Sequence, residues 1–259
     1  MQGVLTAITR EVSSTLNRCE LTHLARSPID LVRAAAQHHA YCQRLCALGL
    51  RVIALPAEPE YPDAVFVEDP IVVLDEVAIV ARSGAASRRG EAESLARALA
   101  PYRELRRMRE PATLEGGDVL RAGRTLYVGL SKRTNAAGIQ QLSAEVEPFG
   151  YRVQPVAVRG SLHLKSGASY IGADTVLVHR PWVDVAAFQG LRLVDAPEGE
   201  ERAANVLVIG PIALVAEGFP GTAGLLRSHG LDVVTLDISE LMKAEAGLTC
   251  SSLIFEAAE

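Results

Sequence analysis

Cys250 has the setting of a reactive cysteine. It lies in the sequence Gly247-Leu-Thr-Cys-Ser-Ser-Leu253, where a turn containing a glycine precedes a predicted strand. A buried free cysteine usually packs as a small apolar side chain, but several neighbours of Cys250 are polar, unlike those of a core strand. A thiol in such a setting can act as a nucleophile if a base lies close enough to take its proton.

His163 and Glu115 could supply that base and its partner. His163 lies between two leucines and faces away from both in an extended backbone, so it points either to solvent or into a site. One histidine can deprotonate a nucleophile and later protonate a leaving amine. Glu115 begins the sequence Glu-Gly-Gly-Asp118, which also suits a simple turn. Its carboxylate could orient His163 and stabilise the charged imidazole, which predicts a catalytic set of Glu115, His163 and Cys250.

Three carboxylates, Asp63, Glu68 and Asp69, flank a short apolar run. Such residues are usually solvated, but several carboxylates in one place would also bind a cation with several N–H donors, and a guanidinium fits that description. Arg88 and Arg133 each lie just before a predicted helix. Arginines are mostly surface residues, yet a free amino acid substrate would need such cations to bind its α-carboxylate.

A metal site was weighed against these groups. His38, Cys42 and Cys46 follow each other at intervals of four residues and would share one face of a helix. They could bind zinc only if further ligands came from elsewhere in the chain. A helix face that packs against the interior explains the same spacing, so we predict no metal and no organic cofactor.

The elements that must position these residues form a weak internal repeat. A helical pattern followed by a short apolar run recurs five times, and each copy is followed by a polar cluster and, in all but the last, a pair of predicted strands. The last copy has one strand, residues 252–255, for which the N-terminal strand, residues 4–9, is the expected partner. The helical patterns cover residues 29–48, 89–100, 135–149, 183–189 and 221–229.

Reactive residues fall at equivalent positions of this repeat. By itself the repeat fits an ordinary alternation of helices and strands as well as a closed ring. In a ring, however, equivalent positions converge on the central axis, which would gather a carboxylate, a histidine and a thiol into one site. We therefore predict an α/β fold of five pseudo-symmetric blades, a five-bladed α/β propeller, in one catalytic domain over residues 1–259. The equivalent positions hold Glu68 and Asp69, Glu115, His163, Asn205 and Cys250.

Composition narrows the class of protein. The chain has 259 residues, a net charge of −5 and four cysteines. The acidic charge argues against a nucleic-acid partner, and four cysteines are too few for a disulfide scaffold of this size. Neither a signal peptide nor an apolar stretch long enough to cross a membrane is visible. We therefore expect a soluble, cytoplasmic protein with a small-molecule substrate and no membrane or nucleic-acid partner.

The assembled motifs resemble those of the dimethylarginine dimethylaminohydrolase family, which belongs to the guanidino-group-modifying, or pentein, superfamily. The resemblance extends over essentially the whole chain and implies the pentein fold, a five-bladed α/β propeller. It also implies hydrolysis of dimethylarginine or monomethylarginine to citrulline without a cofactor, a monomeric or homodimeric state and a part in nitric oxide regulation. The motifs are Pro62-Asp-Ala-Val-Phe-Val-Glu-Asp-Pro70, Ser87-Arg-Arg-Gly-Glu91, Leu114-Glu-Gly-Gly-Asp118, Gly129-Leu-Ser-Lys-Arg-Thr-Asn135, Leu162-His-Leu-Lys-Ser166, Ala203-Ala-Asn205 and Leu248-Thr-Cys-Ser251.

The resemblance also implies individual roles. Cys250 would attack the guanidinium carbon, His163 would act as acid and base, and Glu115, where some relatives have Asp, would support His163. The substrate-binding residues would be Glu68 and Asp69 on the guanidinium nitrogens, Arg88 and Arg133 on the α-carboxylate, Asp63 nearby, Cys19 in an N-terminal lid segment, and Ala244 in the loop before Cys250.

Four other functions were considered. Arginine deiminases and amidinotransferases share the Glu, His and Cys set but typically have longer chains with inserted segments. A non-catalytic five-fold binding module would not need three reactive residues at equivalent repeat positions. A papain-like protease is disfavoured because its cysteine precedes its histidine and lies at a helix start, whereas His163 precedes Cys250 here.

Overall fold

The computed structural model describes residues 3–257, which form five separate three-stranded sheets. In each sheet an antiparallel pair of strands is extended by a third strand that runs parallel to the middle strand. The two ends of the chain share one blade. Strand β1 (Val4–Arg10) pairs antiparallel with β15 (Leu253–Ala257) and parallel with β2 (Arg51–Leu55). The predicted pairing of the terminal strands, which closes the ring, is confirmed.

The other four blades follow in chain order and repeat the same connection. Each predicted pair of apolar strands forms the antiparallel hairpin of its blade. The strands are β3 (Ile71–Val73), β4 (Val77–Val80) and β5 (Glu104–Arg107); β6 (Val119–Ala122), β7 (Thr125–Leu130) and β8 (Arg152–Ala157); β9 (Ala168–Gly172), β10 (Thr175–Val178) and β11 (Arg192–Asp195); and β12 (Leu207–Ile209), β13 (Ile212–Ala216) and β14 (Asp232–Leu236).

Helices connect the middle strand of a blade to its outer parallel strand. Two of them begin at side-chain caps: Asp30 accepts a hydrogen bond from the backbone N–H of Arg33, and Asn135 accepts one from Gly138. The connecting helices are α1 (Leu31–Ala47), α2 (Ala92–Leu99), α3 (Ala136–Val146) and α5 (Pro220–Ser228), and the short helices α4 (Leu164–Gly167) and α6 (Ser239–Met242) lie in loops.

The fourth blade departs from the prediction. Where the sequence pattern indicated a helix over residues 183–189, the structure has only a 3-10 turn, Val185–Ala187, that begins at Asp184. Its backbone hydrogen bonds span three residues, from the N–H of Phe188 to the carbonyl of Val185 at 3.1 Å and from the N–H of Ala187 to the carbonyl of Asp184 at 3.4 Å, which is the 3-10 pattern. The parallel strand β11 nevertheless follows, so the blade keeps its topology.

The buried core joins neighbouring blades. One apolar cluster contains Ile8 and Leu253 of the terminal blade together with Ala78 and Val80 of the next blade. This packing holds the blades in a ring and brings the loops that precede their first strands to the same end of the axis. The fold is a five-bladed α/β propeller, as predicted, although residues 1, 2, 258 and 259 of the predicted domain lie outside the described residues. Within the described part of the chain, no helix has the length and apolar character of a membrane span.

Candidate active site

The five loops that precede the first strands of the blades bring the predicted reactive residues together. Glu68 and Asp69 precede β3, Glu115 precedes β6, His163 precedes β9 and Cys250 precedes β15. Direct contacts join these loops across the axis. The backbone N–H of Glu68 donates to the carbonyl of Cys250 at 3.2 Å, and the backbone N–H of Gly116 donates to the carbonyl of Asp69 at 2.8 Å.

The Glu115 and His163 side chains form a buried pair. Nε2 of His163 lies 2.6 Å from a carboxylate oxygen of Glu115, and both residues are almost fully excluded from solvent. Burial alone would lower the pKa of His163, but Asp69, Glu115 and Asp118 surround it and raise the pKa to about 9. Burial opposes ionisation of Glu115, yet its bond to His163 and the arginine charges nearby hold the pKa of Glu115 far below its usual value. The resting pair is therefore an ionised glutamate and a charged histidine.

Gly117 explains the Gly-Gly pair that follows Glu115. Its backbone passes so close to the site that a Cβ atom there would lie 2.5 Å from Nδ1 of His163 and 2.7 Å from a carboxylate oxygen of Asp69. These separations are far below van der Waals contact. Any side chain at this position would displace the imidazole or the aspartate, so the glycine is required by the packing of the site as well as by the turn.

Cys250 lies in the 3-10 turn Thr249–Ser251, immediately before β15. Its sulfur accepts a hydrogen bond from the backbone N–H of Gly247 at 3.4 Å. Burial raises the pKa of the Cys250 thiol well above its ordinary value, and the negative charges of Glu68 and Asp69 raise it further. The thiol is therefore protonated at neutral pH until a positive charge arrives close to it.

Glu68 belongs to a polar network that includes Thr249, the residue directly before Cys250. Its carboxylate forms an ion pair with Lys165 and accepts a hydrogen bond from the Thr249 hydroxyl at 2.7 Å. The Asn205 side chain in turn donates to the Thr249 hydroxyl at 3.0 Å. Lys165 and Thr249 were not predicted as site residues, although the first lies two positions after His163 and the second directly before Cys250.

Arg88 is buried and already paired with two carboxylates. Its guanidinium donates to Asp69 at 2.7 Å and to Glu91 at 2.9 Å. Glu91 is buried too, and despite Arg88 this burial raises the pKa of Glu91 to about 7. Glu91 was not predicted from the sequence, although it lies only three positions after Arg88.

Arg133 is the second buried arginine of the site, and it contacts Glu115 of the Glu115–His163 pair. It is 3.4 Å from Glu115 and donates to the Thr22 hydroxyl at 3.1 Å. Asp63, also buried, accepts the backbone N–H of Glu20 at 3.0 Å. The structure thus places Arg88, Arg133 and Asp63 around Asp69 and the Glu115–His163 pair. Their predicted contacts with a substrate remain predictions.

A cavity of about 240 Å³ opens beside the reactive residues. Glu68, His163, Asn205 and Cys250 line it, whereas the other predicted catalytic and substrate-binding residues lie outside its lining. Apolar residues also line it, among them Met242 and the single tryptophan of the chain, Trp182. No sequence pattern marked these apolar residues, because they come from separate loops.

Cys19 and Ala244 do not face this cavity. Cys19 is buried in the apolar core, and its sulfur lies 3.9 Å from a guanidinium nitrogen of Arg26. From the same loop, His23 and Leu24 line the cavity instead. Ala244 is buried, while the residue that follows it, Glu245, lines the cavity. The predicted contacts of Cys19 and Ala244 with substrate could therefore be made only by their backbone atoms, or after the loops that carry them move.

Side chains that could bind a metal are present, but they already form ion pairs with other residues. Among the described residues, one group has suitable geometry: Asp69, Glu115 and His163, whose ligand atoms lie within 4.8 Å of one another. Both carboxylates already pair with arginines and with the charged imidazole, which balances their charge without a metal. On α1, His38 is buried with its Nδ1 3.8 Å from the Cys42 sulfur, which is half-buried, whereas Cys46 is exposed. Only the first two of the three residues therefore face the interior.

Comparison with known proteins gives one consistent family. A family model described as N,N dimethylarginine dimethylhydrolase, eukaryotic, matches residues 21–181. The N(G),N(G)-dimethylarginine dimethylaminohydrolase of Streptomyces coelicolor is 41% identical over 95% of each chain. Its namesake from Pseudomonas aeruginosa is 34% identical over 90% of this chain and 92% of its own. The solved structure of DDAH from Pseudomonas aeruginosa, a cysteine-to-serine mutant complexed with citrulline, superposes with a TM-score of 0.92 at 32% identity, covering 98% of this chain and all of that one.

Proposed function

The chain belongs to the dimethylarginine dimethylaminohydrolase family, and we propose that it hydrolyses Nω,Nω-dimethylarginine and Nω-monomethylarginine to citrulline, releasing dimethylamine or methylamine. The observation that carries this proposal is the arrangement of three residues. Cys250 and His163 face one cavity, and His163 is held by Glu115 at 2.6 Å. That arrangement supports nucleophilic attack followed by proton transfer.

Substrate binding is the step that activates the thiol. A guanidinium is positively charged, and the Glu68 and Asp69 side chains lie close enough to Cys250 to act on its thiol. Without substrate, burial and these two carboxylates keep the Cys250 thiol protonated. When a guanidinium binds between them, its positive charge beside the sulfur favours the thiolate, and the thiol proton is released to solvent. Arg88 and Arg133 would bind the α-carboxylate, and Asp63 would lie close to the amino acid end of the substrate.

The chemistry then needs one nucleophile and one acid–base group. The Cys250 thiolate adds to the guanidinium carbon and forms a tetrahedral adduct. His163, which carries a proton at neutral pH, gives it to the departing dimethylamine as the C–N bond breaks. An S-alkylthiouronium remains on Cys250. A water molecule that loses a proton to the now neutral His163 adds to the same carbon, the C–S bond breaks, and citrulline leaves with the free thiol restored.

The remaining family expectations are part of the same proposal. We propose one catalytic domain without a required cofactor, acting in the cytoplasm as a monomer or homodimer. By removing methylated arginines it would take part in nitric oxide regulation. Arginine deiminase and amidinotransferase activities remain the nearest rivals because they use the same nucleophile, acid and carboxylate.

Product analysis separates these activities. The purified protein is incubated with arginine, monomethylarginine and the symmetric and asymmetric dimethylarginines, and citrulline and released amines are measured. The proposal expects citrulline in equal amount with dimethylamine or methylamine, and much less citrulline from arginine. Cys46→Ser, at an exposed free cysteine, should keep this activity while Cys250→Ser loses it. Ammonia and citrulline from arginine alone, or transfer of an amidine to an added amine, would overturn the proposal.

A further inference from the structure

Glu245 makes three contacts that the proposed chemistry does not use. Its carboxylate accepts hydrogen bonds from three consecutive backbone N–H groups: Thr22 at 2.9 Å, and His23 and Leu24 at 2.5 Å each. The partners are more than 220 positions apart in the chain. Consecutive backbone N–H groups that point to one place form an anion-binding nest, and here the side chain of Glu245 fills it.

The backbone of Glu245 is held in an unusual conformation. Its φ angle is +60°, in the left-handed region that non-glycine residues seldom adopt and that costs free energy. The residue comes shortly after α6, and its N–H donates to the Met242 carbonyl at 3.2 Å. A strained residue whose side chain makes charge-assisted bonds to a distant loop indicates that the fold maintains this contact.

The loop held by Glu245 covers the cavity. His23, Leu24 and Glu245 all line it, as does Trp182. Two further bonds tie this loop to residues proposed to bind substrate: Asp63 accepts the N–H of Glu20, and Arg133 donates to the Thr22 hydroxyl. Asp63 and Arg133 also interact with other residues of the site, namely Arg88 and Glu115. Within the described chain, Glu245 supplies the only carboxylate that accepts hydrogen bonds from the backbone of residues 22–24.

We propose that Glu245 is a positioning residue that holds residues 22–24 as one wall of the active-site cavity. Its carboxylate keeps the loop closed over bound substrate and shields the Cys250 thiol from small molecules in solution. The consequence for kinetics rests on the proposed function, but the consequences for the loop and for the thiol do not. In the proposed reaction Glu245 does not contact the reacting atoms. Its loss should therefore change the affinity for substrate more than the rate at which bound substrate reacts.

Two variants test this role. Glu245→Ala removes the acceptor, and Glu245→Gln keeps the size but replaces one acceptor oxygen by an NH₂ group that faces a backbone donor. We expect KM for dimethylarginine to rise about tenfold or more in Glu245→Ala and less in Glu245→Gln, with kcat within about threefold of the parent. Glu198→Gln removes a charge from an exposed glutamate and is the matched control.

Two readouts do not depend on the substrate. The rate at which iodoacetamide alkylates Cys250, followed by peptide mass spectrometry, should increase several-fold in both variants. Fluorescence of Trp182, the only tryptophan, should be quenched more strongly by acrylamide, because Trp182 lines the same cavity that the released loop no longer closes. If Glu245→Ala does not fold, Glu245→Gln decides the question alone.

The proposal is overturned if Cys250 alkylation and Trp182 quenching stay within twofold of the parent protein in the variants that fold. It is also overturned if kcat falls while KM and alkylation are unchanged, since Glu245 would then act in the chemistry. A parent protein that does not turn over dimethylarginine would refute the proposed function only, because alkylation and quenching still report on the loop.

Discussion

His163 Nε2 lies 2.6 Å from a carboxylate oxygen of Glu115, although the two residues are 48 positions apart and belong to loops of different blades. Closure of the propeller makes this contact possible. The pair is buried, so its charges interact strongly. The imidazole consequently keeps its proton near neutral pH, while the nearby Cys250 thiol keeps its own. The free protein therefore holds an acid ready for a leaving group but not yet a nucleophile.

The first prediction concerns the pH dependence of the free thiol. Because burial and two carboxylates raise the pKa of Cys250, the thiolate fraction is small at neutral pH. Alkylation by iodoacetamide should accelerate about tenfold per pH unit, and still be rising at about pH 9, above the ordinary thiol pKa of about 8.5. The labelled cysteine is identified by peptide mass spectrometry. A plateau below about pH 8 would show that the thiol ionises easily without substrate.

A second prediction follows from the packing at Gly117. Gly117→Ala would place a methyl group against His163 and Asp69, and displacing a catalytic group by about 1 Å can cost about a hundredfold in rate. We expect kcat/KM to fall by about that factor in a protein that remains folded by circular dichroism. Gly224→Ala is the matched control, because no atom lies within 4 Å of its new Cβ and it is inside helix α5. Equal activity of the two variants would contradict the site geometry.

A third prediction distinguishes the two arginines. Arg88 is buried between Asp69 and Glu91, so Arg88→Ala leaves two buried carboxylates without their cation. Breaking a buried ion pair in this way typically costs about 3–5 kcal/mol, and the melting temperature should fall markedly. Thermal unfolding followed by circular dichroism measures this effect. An unchanged melting temperature would mean that Arg88 is free to bind a ligand and does not stabilise the fold.

Arg133 gives the cleaner test of α-carboxylate binding. Its contacts to Glu115 and Thr22 are longer, at 3.4 Å and 3.1 Å. Arg133→Ala should lower kcat/KM for dimethylarginine by about ten- to a hundredfold, the value of one charge-assisted contact. The rate with a decarboxylated analogue, methylated agmatine, should change much less. An equal loss with both substrates would remove Arg133 from the proposed carboxylate clamp.

A fifth prediction links His163 to stability. Its folded-state pKa of about 9 lies above the unfolded value of about 6.5. Its contribution is therefore fully present below about pH 6.5 and is lost as pH rises through about 9, by up to about 3 kcal/mol. Urea unfolding at pH 6 and pH 10 measures the change, and His163→Gln should show a smaller decrease than the parent. A larger decrease in the variant would contradict the assigned charge.

Much of this architecture could be predicted because its signals are local. Turn residues between apolar runs located the hairpins. The helix predicted over residues 29–48 agrees with α1 (Leu31–Ala47) to within two residues at each end. The ring, with β1 and β15 pairing, could be predicted because one supersecondary unit recurs. The same recurrence brought Glu115, His163 and Cys250 to equivalent positions, so their proximity followed from the fold without knowledge of any side-chain geometry.

Other features depend on contacts that leave no local trace. Glu245 binds backbone N–H groups, which every residue other than proline has, so nothing in the sequence of the loop indicates its partner. Trp182 lines the cavity from the loop between β10 and β11, and no pattern in that loop indicates which residues lie opposite it. The pairing of Arg88 with Glu91 competes with the predicted substrate contact, and only the burial of both side chains shows that competition.

In the proposed reaction Cys250 forms a covalent bond to the guanidino carbon of dimethylarginine. The intact mass of the protein, quenched in acid during turnover, measures this bond directly. We expect a transient species heavier by dimethylarginine minus dimethylamine. The added mass should be on the peptide that contains Cys250, absent from Cys250→Ser and retained in Cys46→Ser. Citrulline formation at the full rate with no such species at any time, or with the added mass on another cysteine, would contradict this mechanism.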